Sequence, residues 1–147
     1  MLNQQCIVVK ADRLAEFSNE AALAGKDAIA EGGSAGEAYA ATVTKSVIAA
    51  PAQINTFIEV KSGAVDFAVV DIVLAENICG KGDYADLAIV DAIELDSEVY
   101  AVGFKKGSDL TAKVNAAIKE LEADGTLAAL AEKYGFENVV QVMETIE

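Results

Sequence analysis

Short runs of consecutive apolar residues alternate along this chain with longer stretches in which apolar positions recur at helical spacing. Runs of the first kind suit strands covered on both faces, and stretches of the second suit the helices that cover them. Cys6-Ile7-Val8-Val9-Lys10 reads as a first strand. The stretch from Ala11 to Leu23, apolar at Leu14, Phe17 and Leu23, reads as one or two short helices ending at Gly25. Asp27 to Glu31 is a candidate strand broken by Gly32-Gly33, and Ser34 then opens a helix to about Thr44. Val47-Ile48 fits a short strand, and Pro51 stands just before a helix from about Ala52 to Lys61, where proline is tolerated. Phe57, Ile58 and Val60 are the expected buried face of that helix, and Ser62-Gly63 ends it.

Val65-Asp66-Phe67-Ala68-Val69-Val70 is the strongest strand pattern, a nearly unbroken apolar run with Asp71 at its carboxyl end. A helix from about Val73 to Cys79, a turn at Gly80-Lys81-Gly82-Asp83 and a strand at Leu87 to Val90 follow. The last third opens on a long predicted strand, Val99 to Phe104, and a surface turn at Lys105-Lys106-Gly107. Leu110, Val114, Ala117, Ile118 and Leu121 then form an amphipathic stripe that Ser108 or Asp109 can cap. Gly125 fits a left-handed helix end, and a second helix aligns Leu127, Leu130, Ala131 and Tyr134 before Gly135. The alternation predicts an α/β fold with a mostly parallel sheet.

Composition narrows the chemistry. With 147 residues, 53% of them hydrophobic, and one proline, the chain has material for one packed core and does not fit intrinsic disorder. A net charge of −13 repels phosphate backbones, so nucleic acid is not an expected partner. The absence of histidine removes the commonest general base and the commonest zinc ligand, and no pair of carboxylates is spaced for acid–base work; an enzyme is not expected. Cys6 and Cys79 lack the spacing of a metal or redox motif and read as small core residues. The acidic groups Glu94, Asp96, Glu98 and Glu120, Glu122, Asp124 lack calcium-loop spacing and read as solvated faces, so neither metal nor cofactor is expected. No run approaches the ~20 apolar residues of a membrane span, and the first residues do not read as a signal peptide.

Two ordered sets of residues resemble a known family. One runs from Leu23-Ala24-Gly25-Lys26-Asp27 through Gly33-Ser34-Ala35-Gly36-Glu37 to Ser62-Gly63-Ala64-Val65-Asp66-Phe67-Ala68-Val69-Val70-Asp71. The other runs from Val99-Tyr100-Ala101-Val102-Gly103-Phe104-Lys105-Lys106-Gly107 through Leu121-Glu122-Ala123-Asp124-Gly125-Thr126 to Lys133-Tyr134-Gly135. In order and spacing the chain resembles the amino-acid-binding proteins of ABC importers, solute-binding protein family 3. The resemblance implies a type II periplasmic-binding-protein lobe, with residues 1–10 as a crossing strand, 11–95 as the second lobe, and 96–147 as the return strand and helices of an incomplete first lobe. It implies capture of an amino acid or similar small polar solute outside the cytoplasm, with an ABC permease as partner.

The candidate site is Gly33, Ser34, Ala35 and Asp71. Gly33-Ser34-Ala35-Gly36 precedes a helix, whose first N–H groups and positive dipole end can receive a carboxylate. The same residues also make an ordinary turn, with Ser34 and Glu37 as a capping box. The family usually has Thr where this chain has Ala35, so one hydroxyl donor is missing. Asp71 lies at the carboxyl edge of a strand, where open α/β sheets bind ligands; the family uses an Asp there for the ligand's α-amino group. Its alternative is to cap the next helix. Asp66 is assigned to a turn. The apolar stripes of the last two helices, lacking most of the sheet they cover in the family, predict a homodimer that pairs strands or exchanges helices. A chain that self-associates without binding a ligand is the alternative.

Overall fold

The computed structural model describes residues 2–135, with only the backbone described at Leu2. The chain divides into two compact units, Gln4–Asp96, and Met1–Asn3 with the chain from Ser97 onward.

The Gln4–Asp96 unit is built on five strands: β1 (Leu2–Lys10), β2 (Asp27–Glu31), β3 (Ser46–Ala50), β4 (Phe67–Asp71) and β5 (Leu87–Ile89). Their order is β3-β2-β4-β1-β5. β2 pairs with both β3 and β4 in parallel, whereas β1 runs antiparallel to β4 and to β5. The sheet is therefore mixed, which corrects the expectation of a mostly parallel one. Side-chain alternation distributes the strands' apolar residues over two cores. Ile7 and Val9, Ala28 and Ala30, and Phe67 and Val69 face one core with Phe17, Leu23 and Ala40. Cys6 and Val8, Ile29, and Ala68 and Val70 face the other with Phe57, Val60, Ala75 and Leu87. Burial on both faces is why β1 and β4 read as unbroken apolar runs.

The helices α1 (Ala35–Val43), α2 (Gln53–Ser62) and α3 (Ile72–Ile78) cover these faces. The 11–23 stretch forms two 3₁₀ turns, Ala11–Glu16 and Glu20–Leu23. On α2 the buried residues are Thr56, Phe57 and Val60, while Ile58 is half exposed and corrects the expected face. At about 100° per residue, positions 56, 57 and 60 share a side that 58 does not, and Ile58 stacks instead one turn beyond exposed Ile54. Gly63 ends α2 with a left-handed φ of 78° and donates its N–H to the carbonyl of Val60. Asp66 is structural, as its turn position suggested: Oδ2 accepts from the Asp27 N–H at 2.8 Å and Oδ1 from Arg13 Nη1 at 2.8 Å.

The other unit carries β6 (Ser97–Val99), α4 (Leu110–Ala123) and α5 (Thr126–Tyr134). The strand expected over Val99–Phe104 stops at Val99, and residues 100–103 are exposed. An apolar run holds strand geometry only where a neighbour takes its backbone N–H and C=O groups, which no periodicity can specify. Asn3 Nδ2 donates to Glu98 Oε1 at 2.7 Å and to the Tyr100 hydroxyl at 2.9 Å. Ser108 heads α4, its Oγ accepting from the Leu110 N–H at 3.2 Å. No residue of α4 is buried among the described residues; in α5 only Ala131 is.

Candidate functional site

The site lies within the Gln4–Asp96 unit, at the carboxyl edge of β2 and β4. These neighbouring parallel strands lead in opposite directions: β2 passes through α1 to β3 on one side, and β4 through α3 to β5 on the other. Such a switch in direction opens a crevice between the two following loops, the usual ligand position of doubly wound sheets. Gly33-Ser34-Ala35 borders it on the β2 side and Asp71 on the β4 side, so the four predicted residues fall on adjacent strand ends.

On the β2 side the chain turns at Gly33, whose φ of +77° favours glycine, and enters α1 with Ser34 as its N-cap. Ser34 Oγ accepts from the Glu37 N–H at 3.1 Å, as the capping-box reading requires. The Glu37 carboxylate, however, reaches one residue further back and accepts from the Gly33 N–H at 2.6 Å. Ser34's own N–H is already donated to the carbonyl of Glu31 at 3.2 Å, which displaces the box by one position. Gly33 thus serves as a turn whose N–H is committed within the loop. The N–H groups of Ala35 and Gly36, in the helix's first turn, have no intrahelical acceptor by position, and they remain the donors this loop can offer an anion. Ala35 is exposed and Gly36 buried, and a Cβ at Gly36 would stand 2.8 Å from the carbonyl oxygen of Val69. The absence of a side chain is what seats the start of α1 against β4.

On the β4 side, Asp71 heads α3 but makes no side-chain cap to it. Its carboxylate is drawn sideways instead. Oδ1 accepts from Gln5 Nε2 at 2.5 Å and Oδ2 from Gln53 Nε2 at 2.8 Å, while the Asp71 N–H donates to Gln53 Oε1 at 3.0 Å. Gln5 stands directly opposite Asp71 in the β1–β4 pairing, and its Oε1 lies 3.0 Å from where a Gly36 Cβ would be. It therefore touches both halves of the site. The adjacent Cys6 thiol is pushed far up by burial, with further upward contributions from Cys79, Glu76 and Asp71, so it is no nucleophile.

Gln5 and Gln53 escaped the sequence reading. Neither belongs to a motif, and a glutamine at the start of a strand or helix carries no chemical signal of its own. The only hint at Gln5 is polarity at the edge of an apolar run, a residue 9% exposed in the fold. Cys6 and Cys79 are free thiols, and no cluster of three potential metal ligands occurs among the described residues. None of the described helices is long and apolar enough to cross a membrane.

The model of the bacterial extracellular solute-binding proteins, family 3, matches residues 2–138. The chain belongs to that family. Its fold is accordingly the type II periplasmic-binding-protein kind, and its family is one of binding proteins rather than enzymes. The arginine-binding extracellular protein ArtP of Bacillus subtilis (strain 168) is 32% identical over 76 residues, which is 52% of this chain and 30% of that protein. The substrate-binding protein AbpA of an amino acid ABC transporter from Streptococcus pneumoniae Canada MDR_19A, solved bound to L-arginine, shares 27% identity. Its TM-score is 0.80, covering 96% of this chain and 60% of its own. An ancestral arginine-binding protein solved bound to glutamine shares 30% identity at a TM-score of 0.78, over 93% of this chain and 61% of its own. This family 3 chain thus spans about 60% of the length of these solved relatives.

Proposed function

We propose that the Gln4–Asp96 unit receives the polar head of an amino acid, as part of an extracytoplasmic substrate-binding protein serving an ABC importer. The N–H groups of Ala35 and Gly36, with Ser34 beside them, take the ligand's carboxylate, and Asp71 takes its ammonium group. One observation carries the reading: the Asp71 carboxylate, at the head of α3, leaves that helix uncapped and is held at the strand edge beside the start of α1. Asp is a preferred residue at a helix head, where its cap is worth about 1 kcal/mol, and Asp71 forgoes that bond. The two relatives solved with L-arginine and with glutamine support the ligand class, and the family's extracellular description supports the location.

The test is a thermal-shift and titration series with L-arginine and L-glutamine. At ~10 mM ligand, a millimolar Kd adds about 1.4 kcal/mol to stability. The expected result is a shift with one of the two that disappears in Asp71→Ala. No shift with either ligand, from a cooperatively melting protein, refutes it.

A second reading rests on the other unit. Leu110, Leu121 and Leu130 are exposed there and α4 has no buried residue among those described, an apolar face that soluble monomers seldom leave open. A homodimer joined through α4 and α5 accounts for that face. Sedimentation at micromolar concentration giving the mass of one chain refutes it, and a ligand-independent dimer that also fails the thermal-shift test favours a self-associating module without a ligand.

A further inference from the structure

We infer that Gln53 is the positioning residue for Asp71, an amide clamp that fixes the carboxylate in its ligand-receiving orientation; this rests on the amino-acid reading above. Gln53 opens α2, the helix that crosses from β3 to β4 and so brings its first turn to the carboxyl end of β4. Its carboxamide engages Asp71 twice. Oε1 accepts from the Asp71 backbone N–H at 3.0 Å and Nε2 donates to the Asp71 carboxylate at 2.8 Å, closing a ring that involves one residue's main chain and side chain together. Gln5 holds the other carboxylate oxygen from the opposite strand at 2.5 Å.

The geometry is selective in its chemistry. An amide can accept from the N–H and donate to the carboxylate at once; a carboxylate or an ammonium at position 53 can do only one of these. Neutral donors also leave the negative charge of Asp71 in place to attract a cationic group, where a lysine or arginine in the same position would offset it. With its rotamer set before the ligand arrives, Asp71 has less freedom to lose on binding, and affinity rises accordingly.

The experiment combines Gln53→Met, which keeps the length of the side chain and removes both hydrogen bonds, with Asp71→Asn in a double-mutant cycle. L-arginine and L-glutamine are the probes, titrated by NMR, and amide hydrogen exchange is followed in the unliganded proteins. The expected result has two parts. Gln53→Met weakens binding of the responding amino acid roughly fivefold in the wild-type background and changes it no further in Asp71→Asn, because the residue acts through that carboxylate. The Asp71 amide exchanges at least about tenfold faster in Gln53→Met while that of Val69 is unchanged, which shows that the sheet is intact. An equal loss of affinity in both backgrounds, or an Asp71 amide no faster than in the wild type, overturns the clamp. If the wild-type chain binds neither probe, the positioning role falls with the amino-acid reading, and the Asp71 amide then reports whether the clamp itself exists.

Discussion

Replacing Gly36 by Ala puts a methyl group where α1 meets β4, and two opposing effects decide the outcome. Within a helix, Gly to Ala ordinarily gains about 0.5–1 kcal/mol by reducing the freedom of the unfolded chain. Here the new Cβ would stand 2.8 Å from the carbonyl oxygen of Val69, 3.2 Å from its carbon and 3.0 Å from Gln5 Oε1. The first two atoms are backbone of β4, a strand paired on both sides and buried on both faces, so they cannot give way. The start of α1 must lift instead, and overpacking of this kind costs about 1–3 kcal/mol. The backbone contact places the cost in the upper part of that range, for a net loss of about 1–2 kcal/mol. In a urea titration followed by far-ultraviolet circular dichroism, that is a midpoint lower by about 0.5–1 M at unchanged slope. Gly32→Ala is the control in the same turn: its Cβ would meet Ala49 Cβ at an ordinary 3.5 Å, and its midpoint should stay or rise slightly. A Gly36→Ala chain as stable as the wild type refutes the close seating of α1 on the Val69 carbonyl, and with it the argument that this helix end is held against β4.

Three further outcomes follow from the contacts. Ser34→Ala removes the acceptor of the Glu37 N–H and should cost about 1 kcal/mol in the same urea assay, with Ser34→Gly costing only a few tenths; equal losses would mean the hydroxyl is not the cap. Burial alone would raise the Asp66 carboxyl, but the Asp27 N–H and the Arg13 guanidinium more than offset it and hold it below the usual range. A value lower in the folded chain than in the unfolded one contributes stability above about pH 4 that disappears as pH falls through the folded value. Asp66→Asn should therefore be about 1–2 kcal/mol less stable than the wild type at pH 6, and the gap should narrow toward pH 2; a constant gap would refute the ion pair. Burial pushes the Cys79 thiol up to about 11, and Cys6, more deeply buried, higher still. At pH 8 Cys79 should react with iodoacetamide roughly a few hundredfold slower than free cysteine, whose pKa is about 8.5, and Cys6 far slower still; a fast thiol in the native protein would contradict the packing.

What the sequence made legible is what local rules govern. Ser34 marks the start of α1, Gly63 the end of α2, and the apolar run before Asp71 the central strand, because caps, left-handed turns and two-sided burial each depend on a few neighbouring residues. The same logic located Asp71 and the Gly33 turn. What stayed hidden depends on partners distant in the chain. Residues 100–103 have strand-like composition but leave the strand at Val99, Ile58 sits on the outer side of α2, and the direction of β1 relative to β4 leaves no trace in its alternation. Gln5 and Gln53 were invisible for the same reason, since their chemistry exists only through Asp71, 66 and 18 residues away.

The direction of β1 also decides which side chains surround Asp71 at the edge of the sheet. Because β1 runs antiparallel to β4, its first residues lie at β4's carboxyl end, and the register sets Gln5 against Asp71. Had the strand entered in parallel with its neighbours, its other end would reach this edge, and Lys10 would stand nearest Asp71. A lysine there would neutralise the carboxylate and compete with any ammonium group brought by a ligand. A slip of one residue in the antiparallel register would set Cys6, a weak thiol donor, or Gln4 opposite Asp71 according to its direction, and either slip would turn the apolar residues of β1 over between the two cores. The two-sided core therefore enforces the register, and the register delivers Gln5, which with Gln53 holds Asp71 through neutral donors that do not cancel its charge. The hydrogen bonding around Asp71 is fixed as much by the packing of Ile7, Val8 and Val9 as by the residues at the strand edge itself.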